Sequence, residues 1–366
     1  MADLFGALYG SMVGRVVIAC VIVAVVLGTV IALTALVTGL RRAIVLWIVV
    51  LVGLVAGLAL WPVETGSLVS RPDPAGDFDT ALARYEAMKA DPPAPVSPLC
   101  EPQLMHHGAP TARVVVLMHG VSSCPQAFVD FAPILFDRGD TVLVVRMPEN
   151  GYADRATDAL KDMTAEALAE FADTSVDIAA GLGEEVVVLG ISAGGTAAAF
   201  AAQTRPEVDR AMLLAPFFGL AGMGTEINRI LMRVMLTLPS VSIWKDPVAR
   251  EAFVGMPHAY QRQETRGIGE IMRLGLAVRR LAEAGPPAAA AIDVVTNAAD
   301  GAVANGMTDE LSAIWRAAGA DIVTYEFPAE HGLGHELIDP REPGADPALT
   351  YPVILKLMDG ENPGGG

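Results

Sequence analysis

Val186-Val-Val-Leu-Gly-Ile-Ser-Ala-Gly-Gly195 is the stretch that decides the fold. Its apolar, β-branched first half reads as a buried strand. Gly190-Ile-Ser-Ala-Gly194 follows as GxSxG, and Gly195 with Ala197, Ala198 and Ala199 opens a helix with a small surface. A strand that turns abruptly into a helix puts Ser192 on a sharp, strained corner with its hydroxyl projecting from the sheet edge. Gly190 and Gly194 permit the crowded approach of strand and helix. The five-residue pattern is unspecific alone; the strand before it and the helix after it make it specific.

The flanking sequence repeats this alternation. Short apolar, β-branched runs occur at 114–118, 141–146, 185–189, 210–214, 291–296 and 322–327. Helical patterns at 126–137, 164–181, 195–203 and 307–318 separate them. Continuous apolar strands alternating with helices predict an α/β protein whose mostly parallel sheet is covered on both faces. The interval between 214 and 291 is too long for a loop and is read as a largely helical cap insertion, about 219–285. Within it Met223, Leu231, Met232, Met235, Leu236 and Trp244 are expected mostly to pack the cap helices.

Three further stretches carry candidate chemistry. Val114-Val-Val-Leu-Met-His-Gly-Val-Ser122 ends a strand in His119-Gly120. An oxyanion needs two preorganised backbone N–H donors, and these are assigned to Val121 and Ala193, with Ser122 as the neighbouring candidate. His119 is read as structural. Asp300, in the loop after the strand at 291–296, is expected to orient an imidazole; Asp293 competes but lies within the strand. After the last strand, Glu330-His-Gly-Leu-Gly-His-Glu336 offers His335 as the base, chosen over His331.

With its Ser192, Asp300, His335 order, the sequence resembles the α/β-hydrolase superfamily, and within it the bacterial lipase/esterase-like members. The resemblance rests on His119-Gly120 with Ser122-Ser-Cys-Pro-Gln-Ala-Phe128, on Arg146-Met-Pro-Glu-Asn-Gly-Tyr152, on Gly190-Ile-Ser-Ala-Gly-Gly195, on Asn297-Ala-Ala-Asp-Gly-Ala-Val303 and on Gly334-His-Glu-Leu-Ile-Asp-Pro340. It covers about 113–359. It implies the α/β-hydrolase fold and a serine-nucleophile hydrolase. The chain departs from it at Pro148-Glu-Asn-Gly151, where many relatives have Pro-Gly-His-Gly beside the substrate entrance.

The chain has 366 residues, 52% hydrophobic and only 18% charged, with a net charge of −17. Disorder is excluded by the apolar content, and a disulfide scaffold by three cysteines in such a length. Residues 1–62 hold three arginines and one aspartate, so the remainder carries 22 basic against 41 acidic groups. An acidic body repels nucleic acid and anionic headgroups. Residues 16–40 and 43–62 are each free of charge. Each is long enough to span ~30 Å of hydrocarbon. They are read as a transmembrane hairpin, with Trp47 and Trp61 near the interfaces. A cleaved signal peptide is the rejected alternative, because a second spanning-length run follows at once. Ala24, Gly28 and Ala32, and Gly53 with Gly57, supply small faces for close helix packing. Arg41 and Arg42 in the turn place that turn in the cytoplasm and the body outside it. Cys100 and Cys124 are then either an oxidised pair or two buried thiols.

The expected organisation is a transmembrane hairpin (1–62), a Pro-rich linker with one short helix (63–112), and an α/β-hydrolase domain (113–360). The expected activity is that of a membrane-anchored serine hydrolase of carboxylic esters, hydrophobic acyl esters and lipids among them. No metal or organic cofactor and no nucleic acid partner is expected, and the sequence does not fix the oligomeric state. The alternatives are an acyltransferase using the same residues, and a non-catalytic membrane-tethered binding module. Product analysis with a competing alcohol separates the first, and a serine-directed probe the second.

Overall fold

The structure is a computed structural model that describes residues 28–30, 32, 34, 39–60, 62–90, 92–361 and 363. Most of the first expected span, with Arg15, Cys20 and Ala24, lies outside the described residues, as do Trp61 and most of the C-terminal tail. Helix α1 (Leu40–Leu60) follows Gly39, whose φ of 84° suits a turn. The side chains of 40, 51, 52, 54–56 and 58–60 in α1 are outside the description. Counted over the described residues alone, no helix is long and apolar enough to cross a membrane.

Seven strands form the central sheet: β1 (Gln103–Met105), β2 (Thr111–Met118), β3 (Thr141–Val145), β4 (Gly183–Ile191), β5 (Arg210–Leu214), β8 (Ala291–Asn297) and β9 (Ile322–Phe327). Their order is β1-β3-β2-β4-β5-β8-β9. All neighbours are parallel except the edge strand β1, which runs antiparallel to β3. Val114 to Met118 and Val187 to Leu189 are fully buried, as strands covered on both faces must be. A separate two-stranded antiparallel pair, β6 (Ser242–Trp244) with β7 (Arg262–Glu264), lies in the insertion.

The helices are α2 (Phe78–Lys89), α3 (Ala132–Asp137), α4 (Ala165–Ala179), α5 (Ala193–Thr204), α6 (Thr225–Thr237), α7 (Thr265–Ala284), α8 (Asn305–Ala317) and α9 (Pro347–Met358). α5 packs on β4 and β5 and between α4 and α7. Ala197 to Ala202 are buried without exception, so the small side chains let three helices converge there. α7 was expected inside the cap, yet Ile271, Leu274 and Val278 are fully buried and it covers α5. Its partner α6 lies further out, between α7 and α1. Met232 and Met235 are buried and Met223 is exposed, so most of the cap methionines serve packing.

One expectation fails locally, and one helix was missed. The single helix at 126–137 is split into a 3₁₀ turn (Pro125–Phe128) and α3. Pro125 and Pro133 sit at the two starts, where the missing N–H is harmless, whereas Pro133 inside a single 126–137 helix would remove a backbone hydrogen bond and crowd the preceding turn. α9 was not anticipated: Pro347 and Pro352 hide its period, though Asp346 caps it by accepting from Leu349 N at 3.3 Å. The open cysteine question is resolved, since Cys100 and Cys124 form a disulfide with Cα atoms 5.2 Å apart.

Candidate active site

In open parallel sheets, loops at the carboxyl ends of the strands meet on one edge. Here β2 delivers His119 to Cys124, β4 delivers Ser192, β8 delivers Asp300 and β9 delivers His335. Ser192 has φ 56° and ψ −119°, a conformation that a side-chain-bearing residue adopts only under constraint. The constraint is visible. Ser192 N–H donates to Leu214 O at 3.0 Å and Phe217 N–H donates to Ser192 O at 3.0 Å, locking the turn to β5. A Cβ on Gly190 would collide with the Gly194 carbonyl, and one on Gly194 with the carbonyls of Met118 and His119.

His335 Nδ1 lies 2.7 Å from Asp300 Oδ2. Asp300 Oδ1 accepts Ala302 N–H at 2.7 Å and Val303 N–H at 3.2 Å, so the loop itself aims the carboxylate. Burial pushes the Asp300 carboxyl up, but the hydrogen bond and charge of His335 and these two amides outweigh it, and it stays below the ordinary carboxylate value. Burial pushes the His335 imidazole down; the hydrogen bond and charge of Asp300 more than offset this, leaving it above the ordinary histidine value. With Asp300 ionised, Nδ1 carries the proton and Nε2 is left as the acceptor.

Ser192 and His335 line one cavity of about 420 Å³ with Gly120, Val121, Phe217 and Ile268. Gly120 is close against Ser192: a Cβ there would stand 3.3 Å from the serine Cβ. Ser122 N–H is taken by Asn150 Oδ1 at 2.8 Å and Ser123 N–H by Gly120 O at 3.2 Å. That leaves the Val121 amide without an acceptor among the described residues. Ala193 is the first residue of α5, where the helix supplies no acceptor for its N–H. A hydroxyl on a strained turn, an imidazole held by a carboxylate and two free amides together suit proton removal and oxyanion binding.

The remaining candidates are placed elsewhere. His119 is fully buried; its Nδ1 meets Gly120 O at 2.8 Å and its Nε2 accepts Met147 N–H at 3.0 Å. Burial lowers its pKa to about 4, so it is a neutral structural residue. Asp293 is buried within β8 and paired with Arg210 at 2.7 Å. His331 is exposed on a 3₁₀ turn. Among the described residues no group of three or more His, Cys, Asp or Glu is placed to hold a metal.

Several residues in or behind the cavity wall were not anticipated. Asn150 is fully buried in the loop where the chain departs from its relatives, and that departure was the available signal. Lys245, Gln263, Glu336 and Glu342 line the cavity itself. Burial pushes the Glu336 carboxyl up, although His335 and the N–H groups of Ile338 and Asp339 act against it. His258 and Asp339, both buried, approach to 2.9 Å and join the insertion to the His335 loop.

Residues 115–348 match the model of the alpha/beta hydrolase family, and the chain belongs to that family. Similar solved structures share the fold at low identity. One comes from work on two metagenome-derived lipolytic enzymes (14% identity, TM-score 0.52, 72% of this chain and 98% of that one). Another is a monoacylglycerol lipase of Paleococcus ferrophilus (16%, TM-score 0.50, 71% and 99%). A third is a lipase in an open form (15%, TM-score 0.50, 71% and 94%). No curated protein matches in sequence.

Proposed function

We propose that the protein is a membrane-anchored serine hydrolase of carboxylic esters. The observation that carries the reading is Ser192 in its strained turn, sharing a cavity with an imidazole bonded to a buried carboxylate at 2.7 Å. Ser192 Oγ attacks the acyl carbon while His335 Nε2 takes its proton. The Val121 and Ala193 amides hold the oxyanion. His335 then protonates the departing alcohol, and the C–O bond of the ester breaks. Water, deprotonated by the same imidazole, cleaves the acyl-enzyme and returns the proton to Ser192. Asp300 keeps Nδ1 protonated and offsets the imidazolium charge. The lipolytic activity of the structural relatives named above supports the ester class.

The membrane anchor is supported by α1. Ile44, Val45, Leu46, Ile48, Val49 and Val50 are between 39% and 61% exposed, a continuous apolar surface that water disfavours and lipid accepts. Trp47 Nε1 donates to Thr34 Oγ1 at 3.2 Å, linking the two apolar runs as a helical hairpin requires. The buried disulfide fits an oxidising compartment and so a body outside the cytoplasm.

The test is hydrolysis of p-nitrophenyl esters of graded chain length by the purified protein and by Ser192→Ala. Turnover by the wild type, lost in the variant, is expected; equal turnover overturns the reading. Protease added outside intact cells is expected to reach the body.

A further inference from the structure

The loop that carries His335 has little regular structure of its own. Residues 332–346 form no helix or strand between the 3₁₀ turn at Ala329–His331 and α9. On its near side Asn297, at the end of β8, donates from Nδ2 to Leu333 O at 3.0 Å and to Gly334 O at 2.8 Å. On its far side the Asp339 carboxylate is the anchor. Arg341 donates to Asp339 Oδ1 from its backbone N–H at 3.0 Å and from Nε at 2.5 Å. Asp339 Oδ2 faces His258 Nε2 at 2.9 Å, and both residues are buried. Among the described residues no other group hydrogen-bonds the His258 ring or Asp339 Oδ2, so each depends on the other. Burial pushes the Asp339 carboxyl up, but His258 and Arg341 outweigh it and hold it below the ordinary carboxylate value.

His258 belongs to the insertion, and the residues after it grip the other half of the site. Tyr260 N–H donates to Ser122 O at 2.8 Å, in the loop that presents the Val121 amide. The Tyr260 hydroxyl accepts Tyr152 N–H at 3.0 Å and donates to Glu149 O at 3.0 Å. Arg155 Nε donates to Ala259 O at 2.9 Å and fixes the residue between them. One short stretch thus reaches the base loop through a side chain and the oxyanion loop through a backbone amide. We propose that His258 is a positioning residue: acting through Asp339, it holds His335 at the separation from Ser192 and Val121 that the reaction needs. The proposal rests on the serine-hydrolase reading above and gives the insertion a part in catalysis. Misplacing a reacting group by about 1 Å costs up to ~10²-fold in rate. Asn297 still tethers the near side when His258 is lost, so a smaller loss is expected.

The experiment compares His258→Gln, His258→Asn and His258→Leu with the wild type on p-nitrophenyl butyrate. Each rate is divided by the number of sites that a fluorophosphonate labels at completion, which removes any unfolded fraction. Glutamine carries an amide nitrogen where His258 Nε2 lies, asparagine carries one nearer Nδ1, and leucine carries none. His258→Asn and His258→Leu should lower kcat per site by about tenfold with KM within about twofold, and should slow the labelling to a similar degree; His258→Gln should restore most of both. Arg205→Met, which breaks a buried pair at the far end of α5 from Ser192, should lose stability and keep kcat per site. Unchanged kcat per site in His258→Asn and His258→Leu, a loss in KM alone, or His258→Gln as impaired as His258→Leu overturns the positioning role. If His258→Leu does not fold, the glutamine and asparagine variants decide it. Wild type that takes no label ends the serine-hydrolase reading and this role together, whereas an active, labelled wild type with unaffected variants ends this role alone.

Discussion

The side-chain oxygen of Asn150 accepts the backbone N–H of Ser122 at 2.8 Å, and this one bond fixes which amide of the loop after β2 stays free. Ser122 has φ 62°, an unfavourable value for a serine, so the loop needs outside restraint. Tyr260 N–H supplies more by donating to Ser122 O at 2.8 Å. Asn150 is itself held, its Nδ2 donating to Pro148 O at 2.8 Å and its carbonyl accepting from Arg146 Nη1 at 3.0 Å.

Asn150→Ala should therefore lower kcat by about tenfold, less than the ~10²–10³ expected for deleting an oxyanion donor outright. KM should move little, since the residue acts through the loop. The unpaired Ser122 amide should also cost roughly 1–3 kcal/mol of stability. Steady-state kinetics with denaturant unfolding on the same variant check both.

The His335–Asp300 pair sets the pH response. Catalysis needs the neutral imidazole, so kcat/KM should fall about tenfold per pH unit below the His335 pKa. That pKa is raised, so the fall should begin above the ordinary histidine value. In Asp300→Asn the carboxylate that raises it is gone, burial acts alone, and the inflection should move down while kcat drops by up to ~10⁴. The stability sign is the reverse. A raised imidazole pKa stabilises the fold below the ordinary histidine value, and this is lost as pH rises through the raised one.

The disulfide ties the segment before β1 to the end of the Ser122 loop, across 24 residues. Replacing both cysteines by alanine should remove about 3 kcal/mol by the loop-entropy relation. Thermal unfolding with and without reductant measures it, and the oxidised wild type should be the more stable.

Arg205 is fully buried and bonds Asp173 at 3.2 Å and Glu207 at 3.0 Å, with Asp177 as a third partner. The same two aspartates accept Arg71 N–H and Asp73 N–H, so the network fastens the segment after α1 to α4. Arg205→Met strands buried carboxylates and should cost about 3–5 kcal/mol, with little change in kcat for the fraction that folds.

These residues show what the sequence could and could not disclose. The strand that ends in Ser192 was legible because a buried parallel strand is continuously apolar and the turn after it demands glycines. Asp300 and His335 were legible from their position after particular strands. Asn150 showed only through the departure at Pro148–Gly151, because its partner Ser122 lies 28 residues away, and nothing local marks Tyr260 or Lys245. β1 was too short to show a period, and α9 was masked by its own prolines. Met232 and Met235 of the insertion turned inward, in keeping with the packing role expected of most cap methionines, while Lys245 lines the cavity.

The central claim is that Ser192 is the activated nucleophile. Folded protein treated with a fluorophosphonate probe and mapped by mass spectrometry should carry one adduct, on the peptide containing Ser192, and Ser192→Ala should carry none. An unlabelled wild type, or equal labelling of Ser192→Ala, would contradict it.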